Sequence, residues 1–154
     1  MVFGSSHGTE VVSALQYLCS NNVDIPVGGI THSGMQNHRG GYENDVSVAR
    51  IAHNRYMMIA PTIQQARCQS WLNKHLPSDG SVFYRDVTSM YTAICVIGPM
   101  SRHLLSELTD TDMSPKEFPF FTFQEIDVGL ASGIRALNLT HTGELGWVLY
   151  IPNE

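Results

Sequence analysis

A Gly40-Gly41 pair separates two runs of β texture, residues 28–36 and 43–51, of equal length. Glycine reverses a chain at no steric cost, so paired glycines between two such runs predict an antiparallel hairpin. Strand, helix and hairpin signals are mixed around it. A helix is expected over Glu10–Cys19, where Val11, Ala14, Leu15 and Leu18 recur at helical spacing, and another from Pro61 to about His75, with Ile63, Ala66, Trp71 and Leu72 apolar. A third follows Pro99 to about Leu108. Strand-like runs occupy 55–60, 81–87, 91–97, 120–128, 133–141 and 145–152. A parallel sheet needs regular strand–helix alternation, which this order lacks. The pattern therefore predicts an α+β fold of antiparallel sheets with flanking helices.

Size and charge narrow the function classes. The 154 residues fit one domain, with 43% hydrophobic and 15% charged residues. A net charge of −5 without a Lys/Arg cluster disfavours nucleic acid as a partner. No apolar run is long enough for a membrane span. Residues 1–9 carry no periodicity and read as an irregular start, leaving 10–154 as the folded domain, expected to be a partial one. The chain stops at Glu154 directly after a strand, so partner elements are expected beyond it. Cys19, Cys68 and Cys95 lack Cys-x-x-Cys spacing and sit in apolar stretches, which predicts buried reduced thiols.

Chemistry has few candidates. Gly-Gly followed by Tyr42-Glu-Asn-Asp45 puts acids beside a tight turn, where a carboxylate can act as a general base or pair with a developing cation. Strict alternation would place Glu43 and Asp45 on one face and Asn44 on the other. The bland alternative is a hairpin with solvated polar residues. His141-Thr-Gly-Glu-Leu-Gly-Trp147 is a second glycine-bracketed acid between strands, and its bland reading is a hairpin with Glu144 in water. The histidines form no His-x-x-x-His or His-x-His pair, so no metal is expected. Hydrolase chemistry has no Gly-x-Ser-x-Gly elbow to support it, Ser5, Ser6 and His7 lying in the patternless start. Asn138-Leu-Thr140 matches a glycosylation sequon inside a strand-like run and is read as coincidental.

In order and separation, the two turns, with Ile97-Gly-Pro99 between them, resemble the aminomethyltransferase (GcvT) family, over about Glu10 to Pro152. This family includes the folate modules of the flavin-linked sarcosine and dimethylglycine dehydrogenases. The resemblance implies a partial folate-binding fold in which Asp45 lies near the folate nitrogens and is catalytic if the site is active. It further implies a pocket from Asn37, Gly40, Gly41, Asp45, Met57, Ile59 and Val148. Active members carry Glu where Val148 stands, and a carboxylate there accepts two neighbouring pterin donors together. Val148 thus implies weak tetrahydrofolate binding at most, since unpaired buried donors cost about 1–3 kcal/mol each.

Within the family, Leu18–Gly28, Asn37–Asp45, Ala60–Gln65 and His141–Pro152 look like the regulatory subunits of pyruvate dehydrogenase phosphatase. That narrower resemblance implies a non-catalytic role, the phosphatase catalytic subunit as partner, and the mitochondrial matrix. Residues 1–9 are not Arg-rich like a transit peptide, so a targeting signal is expected upstream, as is any FAD site. The alternative implied is a one-carbon-transfer domain of a sarcosine- or dimethylglycine-dehydrogenase-like flavoenzyme, passing an aminomethyl carbon to tetrahydrofolate.

Overall fold

The computed structural model describes residues 1–5 and 8–153, and it resolves into two compact units, residues 1–86 and 87–154. In the first unit, α1 (Glu10–Leu18) and α2 (Gln65–His75) accompany five strands: β1 (Val2–Ser5), β2 (Ile30–Gln36), β3 (Tyr42–Ala52), β4 (Arg55–Ile59) and β5 (Val82–Arg85). Their order is β2-β3-β4-β1-β5, and every pairing is antiparallel. The second unit holds β6 (Tyr91–Ile97), α3 (Ser101–Ser106), β7 (Phe123–Val128), β8 (Ala131–Leu137) and β9 (Gly146–Pro152), in the order β6-β9-β8-β7, again antiparallel.

One face of the first sheet carries that unit's core. Phe3, Met35, Val46, Val48, Tyr56, Met58 and Val82 meet Val11, Leu15 and Leu18 of α1 and Cys68 and Leu72 of α2. Phe3, Leu15 and Leu72 are fully buried, and each such side chain contributes about 1.5–3 kcal/mol by leaving water. The other face presents Ile30, His32, Asp45, Ser47, Ala49, Met57 and Ile59, as the pairings Ile30↔Ala49, His32↔Ser47, Ala49↔Met57 and Ser47↔Ile59 require.

Residues 2–5 correct the expectation of an irregular start, for they form β1, an interior strand between β4 and β5. A strand of four residues is too short to show a period, and its conformation is fixed by partners more than fifty residues away. Ser6 and His7 lie outside the described residues. The segment expected to be helical from Pro61 begins as a single 3-10 turn, Thr62–Gln64, before α2, and α3 is shorter than expected.

Residues 19–29 close the outer edge of β2. Cys19 bridges Met35, Ser20 N donates to Gly34 O at 3.0 Å, and Asn21 Nδ2 donates to His32 O at 3.0 Å. Arg50, with a side chain 9% exposed, holds the segment from beneath. Its Nη1 donates to Asp24 Oδ1 at 2.7 Å and Ile25 O at 2.8 Å, and its Nη2 to His53 O at 2.8 Å. The guanidinium also lies 5.5 Å from the Tyr56 ring centre, and Tyr56 donates its hydroxyl to Val23 O at 3.1 Å.

The second sheet packs Ile126, Ile134, Ala136, Trp147 and Leu149 against Leu105 of α3 and against Met113 and Phe118 of the connecting loop. Phe118 meets Trp147 edge-on at 5.9 Å, and Arg102 stacks 5.3 Å over the indole. Asn138 is buried and donates Nδ2 to Phe118 O at 2.9 Å, so its amide is occupied inside the fold and the sequon is coincidental. Cys19 and Cys68 are buried, as expected, and burial pushes the Cys19 thiol up to about 11. Cys95 is exposed, contrary to expectation, because β6 is an edge strand. Apolar residues on an edge need not be buried. β6 carries no charged residue and exposes Ile94 and Ile97, whereas the opposite edge, β7, carries Glu125 and Asp127 and a bulge.

Removing the buried guanidinium leaves two carbonyls and the loop without donors. Arg50→Ala should lower the unfolding free energy by about 2–4 kcal/mol in urea titration. Arg50→Lys should recover only part, since one ammonium cannot span three acceptors in that fork.

Candidate functional site

The β2–β3 hairpin builds the site around one asparagine. Gly40 adopts φ +77°, a left-handed conformation that side chains resist, and this lets the chain reverse within four residues. Asn37 then stitches the turn. Its Oδ1 accepts from Arg39 N at 2.9 Å and Gly41 N at 3.1 Å, while its backbone exchanges 2.9 Å bonds with Gly40 and Gly41. The remaining Asn37 donor, Nδ2, reaches Glu43 Oε1 at 2.8 Å. Glu43 Oε2 in turn accepts Nε and Nη2 of Arg67 on α2, at 3.0 and 2.8 Å. Turn and helix are thus joined through a single carboxylate.

Those partners hold the Glu43 carboxyl below its ordinary pKa, Asn37 contributing most and Arg67 next. A depressed carboxylate stabilises the fold above its unfolded pKa, and the contribution vanishes as pH falls through the folded value. The melting-temperature gap between the wild-type chain and Glu43→Gln should therefore be widest near neutrality and close below about pH 4. Differential scanning calorimetry at several pH values reads it.

The register shifts between Met35 and Gln36, so that Met35 faces Asn44 while Gln36 faces Tyr42. Glu43 is the extra residue of this bulge, which corrects the expectation that Glu43 and Asp45 share a face. Glu43 turns to α2, and Asp45 turns to β2. Asn44 lies fully buried opposite Met35, with no hydrogen-bond partner for either amide atom. Asp45 Oδ1 pairs with His32 Nε2 at 3.0 Å, and His32 Nδ1 lies 3.3 Å from Ser47 Oγ. Tyr42 folds its ring over Gly34, where a Cβ would come within 2.3 Å of the ring. Gly34 stands directly across from Asp45.

Four of the seven residues singled out from the sequence, Asn37, Gly40, Gly41 and Asp45, come together on this hairpin. Met57 and Ile59 share the sheet face of Asp45 on the neighbouring strand β4, Met57 buried and Ile59 half-buried. Val148 belongs to the second unit, on β9 between Cys95 and Leu137. It faces away from that unit's core, with Tyr150, as alternation requires. Burial pushes the Tyr150 phenol up to about 12. Glu144 is exposed in the turn before β9. His32, Ser47 and Arg67 were not legible as site residues. A lone His and a lone Ser at unrelated spacings carry no motif until β2 and β3 are in register.

Another concavity, of about 570 Å³, lies in the second unit between residues 106–111 and strands β7 and β8. Glu107, Asp110, Glu125 and Asp127 make it acidic, and none of the seven residues lines it. Among the described residues, no group of three or more His, Cys, Asp or Glu is arranged to hold a metal ion.

Fold and hairpin together define a class. The family described as the GCVT N-terminal domain matches residues 5–154, and this chain belongs to it. The glycine cleavage system aminomethyltransferase T of Bartonella henselae superposes with a TM-score of 0.76 at 19% identity, over 98% of this chain and 38% of that one. Among relatives, the mitochondrial pyruvate dehydrogenase phosphatase regulatory subunit of Mus musculus is 50% identical over 150 residues, which is 97% of this chain and 17% of that protein. The mitochondrial sarcosine dehydrogenase of Homo sapiens is 30% identical over 161 residues, covering 94% of this chain and again 17% of the relative. The chain thus spans about a sixth of either relative's length.

Proposed function

We propose that this chain is part of a non-catalytic regulatory subunit of a mitochondrial pyruvate dehydrogenase phosphatase, acting on a phosphatase catalytic subunit in the matrix and carrying a degenerate folate pocket. The observation that carries the reading is 50% identity across 97% of the chain to a regulatory subunit of that kind, against 30% to a sarcosine dehydrogenase. Val148 supports the degenerate pocket. A half-buried valine flanked by Cys95 and Leu137 offers no acceptor to a ligand's paired N–H groups.

The second reading is a tetrahydrofolate-binding, one-carbon-transfer domain of a flavin-linked dehydrogenase, favoured by the intact Asp45 and its turn. On that reading Asp45 is the catalytic carboxylate, and Asn37, Gly40, Gly41, Met57 and Ile59 line the pocket with it. FAD then belongs to a part of the protein outside these residues.

Titration calorimetry with tetrahydrofolate separates the two. The regulatory reading expects a dissociation constant weaker than the micromolar range and a gain of about tenfold in Val148→Glu, the worth of about 1.4 kcal/mol. Micromolar or tighter binding to the unaltered chain, lost in Asp45→Asn, would favour the enzyme reading instead.

A further inference from the structure

The Asp45–His32–Ser47 array lies on one sheet face and is built by register. Ser47 stands directly across from His32, and Asp45 is two residues earlier on the same strand. The imidazole therefore spans both, with Nε2 3.0 Å from Asp45 Oδ1 and Nδ1 3.3 Å from Ser47 Oγ. Proton placement follows from the acid. An ionised carboxylate only accepts, so Nε2 must carry a proton, because a bare Nε2 would set its lone pair against Oδ1. In the neutral ring Nδ1 is then the acceptor, and the Ser47 hydroxyl donates to it.

Exposure decides what the array does. Ser47 is 5% exposed, whereas the side chains of His32 and Asp45 are 47% and 55% exposed. A serine buried at the far end of the relay, with the carboxylate at its open end, is the reverse of a serine nucleophile, which must meet its substrate. The anchor is inside and the acid outside. Tyr42 lies on Gly34, which stands directly across from Asp45.

We propose that His32 and Ser47 are positioning residues for Asp45. Ser47 holds the imidazole against Asp45, whose carboxylate keeps the proton on Nε2, and that N–H pins one carboxylate oxygen, so the other is aimed outward to accept an N–H of a bound ring or amine. Holding one oxygen removes a rotational freedom that ligand binding would otherwise have to freeze. The ligand half of the proposal rests on reading this sheet face as the family's binding site. The proton arrangement does not.

Nitrogen-15 NMR of the histidine-labelled full chain at about pH 8.5, where imidazoles are neutral, tests the arrangement. His32 is expected wholly as the Nε2–H tautomer in the wild type and as a tautomer mixture in Ser47→Ala, where the ring is no longer held against Asp45. An Nδ1–H ring, or the same mixture in both proteins, overturns the proposal. Calorimetry with tetrahydrofolate tests the consequence in proteins checked for unchanged thermal melting. His32→Ala should weaken binding about tenfold and His32→Gln, which restores a donor, less than about threefold. Equal affinity of His32→Ala and wild type also overturns it. If the wild type binds no tetrahydrofolate, the enzyme reading fails by itself, and the tautomer decides the positioning role.

Discussion

Everything the hairpin presents depends on the bulge that sets Glu43 and Asp45 on different tasks. Without the extra residue, alternation would line both acids along one face, where neighbouring carboxylates repel and raise one another's pKa. With it, Glu43 is spent on structure. It receives Asn37 from the turn and Arg67 from α2, so the turn is tied to the helix. Asp45 is left half in water, paired with His32. One insertion in register divides a pair of similar side chains into a brace and a carboxylate open to water.

The class of fold was legible because it depends on local signals. The Gly40-Gly41 reversal and the proline-started helices are properties of short stretches, and so is the absence of regular strand–helix alternation. β1 was illegible for the opposite reason, since four residues with one buried phenylalanine gain their conformation only by insertion between β4 and β5. Cys95 was misjudged because apolar neighbours in sequence do not reveal whether a strand is interior or at an edge.

The candidate site was legible in part, along the same division. Asn37, the glycines and Asp45 are contiguous, so a motif reveals them. His32 and Arg67 reach the motif through pairing and packing from thirteen residues upstream of Asp45 and twenty-four downstream of Glu43, and nothing in their own surroundings marks them. Val148 is a different case. Its face follows from alternation along β9, but the meaning given to it rests on a resemblance rather than on its own surroundings.

The two edges of the second sheet have opposite temperaments. β7 carries acids and a bulge, both of which discourage another strand from adding to it. β6 has neither, and its Ile94 and Ile97 stand in water beside unpaired backbone. Whatever increases the concentration of this sheet in isolation will therefore tax solubility at β6 first. Within that sheet, the tendency to recruit another strand is concentrated along one edge.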